Sequence, residues 1–144
     1  MRERICMVES TRPKPLPVLT EENRTFWEGC QQGKLLLQQC DKCYHYQFYP
    51  RLYCMQCSSE TLQWVEANGR GAIYSFTIIY QNKAPEFVHE TPYNVAIVQL
   101  EEGPRLLSNI VDVDATELKV DLRVAVVFDQ VTDTITLPRF RLLR

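Results

Sequence analysis

The chain has 144 residues, 45% of them apolar, which suits one ordinary domain or a small domain carrying an appendage. Its 16 Lys and Arg against 18 Asp and Glu leave a formal net charge of −2, so no general electrostatic attraction to nucleic acid is expected. No apolar run is long enough to span a membrane, and the opening MRERICMVESTRPKP holds no signal-peptide core. With cysteines read as reduced, the expected location is the cytoplasm.

Residues 1–19 read as an extended arm. Pro13, Pro15 and Pro17 alternate and disfavour helix, and Arg2, Arg4, Arg12 and Lys14 make the arm basic. Thr20 is a fitting N-cap, followed by Glu21 and Glu22 at the positive end of a helix. That helix is predicted to run to about Gln32 and to stop at Gly33, with Phe26, Trp27 and Cys30 on its apolar side. Lys34–Gln39 is a short strand candidate leading into the run CDKCYHYQFYPRLYCMQC.

That run holds Cys40, Cys43, Cys54 and Cys57, two C-x-x-C pairs separated by ten residues. Two such turns can present four thiolates to one tetrahedral ion. Two disulfides would need an exporting context, and a redox C-x-x-C does not explain a second copy. Four thiolates accept zinc or iron; zinc is the expected ion, and a closed shell makes it structural. His45 is read as a neighbour of the site, and Cys6 and Cys30 as incidental or buried thiols. The insert carries Tyr44, Tyr46, Phe48, Tyr49 and Tyr53, more rings than a small metal module needs as cover.

From residue 61 the pattern turns to strands. The candidates are Thr61–Glu66, Ala72–Tyr80 after a Gly69-Arg70-Gly71 turn, a hairpin of Asn94–Leu100 with Arg105–Val111, then Arg123–Asp129 and Thr134–Leu137. Gln81–Pro92 reads as a loop, and Asp114–Leu118 as one capped helical turn. Short strands with one brief helical interruption predict a mainly β chain, with an N-terminal helix and four-cysteine ribbon followed by an OB-type five-stranded barrel. The expected division is 1–33 arm and helix, 34–66 rubredoxin-like zinc ribbon and 67–144 OB barrel.

Catalytic machinery is hard to find: there is no G-x-S-x-G, no phosphate-cradling glycine loop and no H-E-x-x-H. The two histidines are His45 and His89, and His89-Glu90 reads as a pair of solvated neighbours. The ribbon-plus-barrel plan also fits a nucleic-acid-binding module, but Glu66, Glu101, Glu102, Asp112, Asp114, Glu117, Asp121, Asp129 and Asp133 would repel phosphates. A stand-alone acyl-CoA-binding protein is a further alternative.

The segments FWEGCQQGKLLLQQC, CDKC…YPRLYCMQC, GRGAIYSFTIIYQ, ETPYNVAIVQLEEGPRLLSNIVD and LPRFR, in this order across residues 20–144, resemble the acyl-CoA-associated zinc-ribbon/OB-fold family of thiolase-partner proteins. The resemblance implies a non-catalytic zinc-binding subunit in a hetero-oligomer with thiolase-like and ketosynthase-like partners, with no nucleic acid and no membrane. The catalytic cysteine would belong to a partner. The four ribbon cysteines match the family's positions, but Tyr44 and Ser58 stand where the family often has glycine. The run STRPKPLPVLTEENRTFWEGC is similar to small subunits of acyltransferases that acetylate phenolic polyketides on carbon, which implies a place in antibiotic biosynthesis. Phe26, Trp27, Arg139, Phe140 and Arg141 are the residues expected to touch a partner or an acyl channel; packing on the chain's own core is the competing reading of Phe26 and Trp27, and burial as a barrel plug that of Phe140.

Overall fold

A computed structural model describes residues 13–144; the arm residues Arg2, Arg4, Cys6 and Arg12 lie outside the described residues. Pro13–Leu19 form no helix or strand, as alternating prolines require. Lys14 ion-pairs with Glu90 and sits 5.8 Å from the Phe87 ring centre, so this stretch lies against the loop 80–92.

The regular helix, α1, spans Arg24–Gln31, a later start than Thr20. Thr20 still caps the entry. Its N–H donates to Asn23 Oδ1 (2.7 Å), and the Asn23 N–H donates back to Thr20 Oγ1 (3.3 Å). This reciprocal box orders residues 21–23 as a turn instead of a helical turn. The predicted stop is observed: Gly33 takes φ +73°, Lys34 N–H reaches Gly29 C=O at 2.8 Å, and Gly33 N–H reaches Cys30 C=O at 3.0 Å. That pair of bonds is a Schellman closure, which favours glycine at the left-handed position.

The ribbon is a three-stranded antiparallel sheet in the order β2-β1-β3, with β1 Leu36–Cys40, β2 Tyr46–Gln47 and β3 Leu62–Glu66. The short β2 has no sequence counterpart, because two residues show no periodicity. The barrel uses β4 Arg70–Ile79, β5 Tyr93–Leu100, β6 Arg105–Ser108, β7 Ile110–Val111, β8 Arg123–Gln130 and β9 Thr136–Leu142, in the order β6-β5-β4-β8-β9-β7. β6 and β7 are halves of one strand bent at Asn109. The first half pairs antiparallel with β5 and the second parallel with β9, so five strands close on themselves. Asn94 clamps the bend, its side chain accepting from Ile110 N–H and donating to Ile110 C=O, both at 2.7 Å. Asp114 caps a single 3-10 turn, Ala115–Glu117, through a capping box.

Two strand boundaries depart from expectation. Arg70 and Gly71 belong to β4, and only Gly69, at φ +78°, serves the turn. Gly71 is needed for a different reason: a Cβ there would lie 2.3 Å from Gln99 C=O on β5. β9 runs on through Pro138 to Leu142. Phe140 N–H points to Asn109 on the β7 side, so by the two-residue period Pro138 presents its missing N–H away from the β8 ladder.

One apolar core joins all the parts. Phe26 and Cys30 of α1, Leu35 and Leu37 of the ribbon base, and Ile73, Val98, Leu106, Ile110, Val124 and Phe140 of the barrel belong to it. Phe26 is 3% exposed and Phe140 is 0% exposed. Phe140 takes the barrel-plug reading, and Phe26 packs into the shared core while one side of it lines the cleft described below, so neither ring stands on an open surface. No helix among the described residues is long and apolar enough to cross a membrane.

Candidate metal centre and the surrounding cleft

The two C-x-x-C turns are copies of one local structure. In the first, Cys40 N–H donates to His45 C=O (3.0 Å), Tyr44 N–H to Cys40 C=O (3.0 Å) and Lys42 N–H to Cys40 Sγ (3.4 Å). In the second, Cys54 N–H donates to Ser59 C=O (2.7 Å), Ser58 N–H to Cys54 C=O (2.9 Å) and Gln56 N–H to Cys54 Sγ (3.4 Å). Each turn closes with a left-handed residue after its second cysteine: Tyr44 at φ 60° and Ser58 at φ 63°. These are the places where glycine would be cheapest. Tyr44→Gly should raise the stability of the zinc-loaded chain by about 0.5–1 kcal/mol, since relief of the left-handed strain exceeds the added chain entropy. The Tyr44 ring is 70% exposed and forfeits little packing. A rise in the thermal midpoint checks this; a fall would show that the ring is held.

The four sulfurs converge. All lie within 4.8 Å of one another, with Cys40–Cys57 and Cys43–Cys54 each at 3.6 Å. That is too long for a disulfide bond of about 2.05 Å. It fits a tetrahedron of about 2.3 Å metal–sulfur bonds, whose edges are about 3.8 Å. Amide donors bias Cys40 and Cys54 toward the thiolate form a metal needs. The Cys43 N–H, chiefly, holds Cys40 down to about 6, and the Cys57 N–H lowers Cys54. Cys43 moves up to about 12: the His45 N–H opposes the rise, and burial together with the three neighbouring thiols drives it. Cys30 is different in kind, its thiol pushed up to about 12 by burial in the core, which leaves it inert. His45 is exposed and gives its C=O to the first turn while its ring stays outside the sulfur cluster. His89 is exposed as well, and its neighbour Glu90 pairs with Lys14.

The insert between the turns is organised by two glutamines that carried no recognisable signal in the sequence beyond being polar in an apolar stretch. Gln38 and Gln47 are 5% and 6% exposed. Gln38 accepts from Arg51 N–H (2.9 Å) and donates to Arg51 C=O (2.8 Å); Gln47 donates to Gln38 Oε1 (2.9 Å) and accepts from Met55 N–H (2.9 Å). The loop 48–53 has no strand partner, so these buried amides satisfy its backbone. Of the insert's rings, Phe48 turns inward onto Phe26 (5.1 Å between centres), while Tyr44, Tyr49 and Tyr53 are at least half exposed.

A cleft of about 350 Å³ opens between α1, this loop, the β6–β7 bend and β9. Phe26, Trp27 and Arg139, all named from the sequence, line it. Arg139 is tied to Asp129 (2.8 Å) and Asn109 (2.7 Å), and Arg141 lies elsewhere, paired with Asp112 (2.8 Å). Arg123 and Arg144 are likewise paired, with Glu101 and Glu117. The C-terminal arginines thus meet carboxylates of their own chain, which weakens any case for a basic stripe that tracks phosphates.

A four-cysteine ribbon stapled to a closed five-stranded barrel through a shared core is the class that fold and site define. Matching family models divide the chain in the same sense: the rubredoxin-like zinc ribbon domain of ChsH2 over residues 27–63 and the C-terminal OB-fold domain of ChsH2 over residues 64–129. The "DUF35 domain-containing scaffold protein" of Methanothermobacter thermautotrophicus is 34% identical over 117 residues, covering 81% of this chain and 87% of that one. The "Probable enoyl-CoA hydratase alpha subunit" of Thermomonospora curvata is 32% identical over 128 residues, 89% of this chain, although the chain spans only 40% of that protein. Among solved structures, the "Ltp2-ChsH2(DUF35) aldolase" matches with a TM-score of 0.80 and 31% identity over 88% of this chain and 98% of that one. The chain belongs to the DUF35 family of ChsH2-type zinc-ribbon/OB-fold proteins. Its rubredoxin-like ribbon is a structural zinc module, and Cys40, Cys43, Cys54 and Cys57 are the residues that would hold the ion. A closed four-thiolate shell leaves no position for substrate, so the ion's role is to staple a segment with almost no core of its own.

Proposed function

We propose that this chain is the non-catalytic zinc-binding subunit of a multicomponent acyltransferase, assembled with thiolase-like and ketosynthase-like subunits. The observation that carries this reading is the likeness, over nearly the whole chain, to the DUF35 chain of the Ltp2-ChsH2 aldolase. The scaffold designation of the archaeal relative supports the same role. The chemistry would reside in a partner. Its cysteine carries an acetyl group as a thioester, a ring carbon of the phenol attacks the carbonyl, the thiolate leaves, and loss of the ring proton restores aromaticity. The acceptor class proposed is a phenolic polyketide, with conversion of monoacetylphloroglucinol to diacetylphloroglucinol as the specific reaction. That choice rests on the resemblance of the run STRPKPLPVLTEENRTFWEGC to such small subunits.

Co-expression tests the assembly. A tagged chain should carry the thiolase-like and ketosynthase-like subunits through size-exclusion chromatography as one species at physiological salt. Elution of the chain alone, with the partners folded and separate, would contradict the reading.

A further inference from the structure

An aromatic cleft lies beside the ribbon. Its floor and one wall are a run of rings in mutual contact: Trp27 on Phe26 (4.9 Å between centres), Phe26 on Phe48 (5.1 Å) and Phe48 on Tyr49 (4.4 Å). Leu107 and Tyr49 form apolar lips that stand more than half exposed. A volume of about 350 Å³ falls within the range of small-ligand sites. The polar groups deeper in the cleft are already engaged: Ser108 donates to Pro138 C=O, and Asn109 and Asp129 hold Arg139.

Arg51 is the exception. Its backbone is fixed from both sides by the buried Gln38, yet its guanidinium meets no carboxylate or carbonyl among the described residues. An exposed guanidinium without an ion-pair partner among the described residues, carried on a fixed backbone at the mouth of an aromatic cleft, favours a flat apolar molecule with an acidic edge, because Arg presents planar paired donors to an anionic oxygen. The single carboxylate among the lining residues is Glu22, which is exposed.

We infer that the cleft between α1, the 48–51 loop and the β6–β7 bend binds an acylated phenol, ring against Trp27 and Tyr49, acidic oxygen on Arg51. An acyl substituent delocalises phenolate charge, so such a ring supplies both the flat apolar body and the anionic edge. The choice of a phenol rests on the proposed function; the cleft's preference for a planar acid rests on its geometry.

The test is titration of the full, zinc-loaded chain with 2,4,6-trihydroxyacetophenone, followed by the indole N–H signals of Trp27 and Trp64. Saturable movement of Trp27 with Trp64 unmoved is expected, since Trp64 does not line the cleft. Arg51→Gln should weaken binding about tenfold, the loss expected for one charge-assisted contact. Glu22→Gln should not weaken it. An unmoved Trp27, or equal affinity in Arg51→Gln, would overturn the inference. Both variants change exposed side chains, so the fold is kept. Complex formation with thiolase-like partners is read separately: a complex without phenol binding defeats this inference alone, and phenol binding without a complex defeats the proposed function alone.

Discussion

Cys40→Ser removes zinc from the purified chain and unfolds the ribbon. The reason is arithmetic on burial. Between Cys40 and Thr61, the buried residues are Cys40, Gln47, Cys54 and Ser59, two of which are ligands and two polar. Only Tyr46 and Phe48 of this stretch pack on the shared core, both partly buried, so most of its folding free energy is metal binding, about 10–16 kcal/mol for structural zinc in small modules. Replacing one thiolate with a hydroxyl abolishes most of that. Elemental analysis should find the variant without zinc, and hydrogen exchange across residues 41–61 should lose protection. A variant that kept zinc and full protection would show that the ribbon stands on its own contacts.

Phe140→Ala destabilises the barrel by about 3–5 kcal/mol, the cost of an emptied phenyl site in a packed core. Phe140 is fully buried, opposite Val126 on β8 and Ile110 on β7, at the seam where the parallel pair closes the barrel. Its neighbour Arg141 offers the internal control. The Arg141 side chain is 58% exposed and salt-bridged to an Asp112 that is 69% exposed, so Arg141→Ala should change stability by no more than about 0.5 kcal/mol. Urea unfolding of both variants decides the matter. Equal, small effects would mean that Phe140 is not the closing plug.

The clearest sequence signals are those with fixed spacing or obligatory backbone demands. The C-x-x-C pairs announced the metal turns, Gly33 announced the end of α1, and Glu101-Glu102-Gly103-Pro104 announced the β5–β6 turn. Tyr44 and Ser58, which stand where the family often has glycine, take the left-handed closures, because the turn hydrogen bonds impose that conformation regardless of residue type. The end of β9 was hidden by Pro138, which reads as a strand breaker unless one knows which edge its missing donor faces.

The residues expected at a partner or acyl channel sort less cleanly. Phe26-Trp27 and Arg139-Phe140-Arg141 each read as a unit, but adjacent residues point in different directions. In each group the structure buries a phenyl ring and leaves its neighbours at the surface or in the cleft. The buried Gln38–Gln47 pair was not legible, because a glutamine's worth depends on which backbone groups lack partners across the fold.

The most direct test of the central claim is reconstitution of acetyl transfer. Thiolase-like and ketosynthase-like subunits would be purified with and without this chain, and conversion of monoacetylphloroglucinol to diacetylphloroglucinol measured. The account predicts that transfer requires this chain, that the zinc-free Cys40→Ser variant fails to restore it, and that this chain alone has no activity. Full transfer by the partners without it would contradict the account.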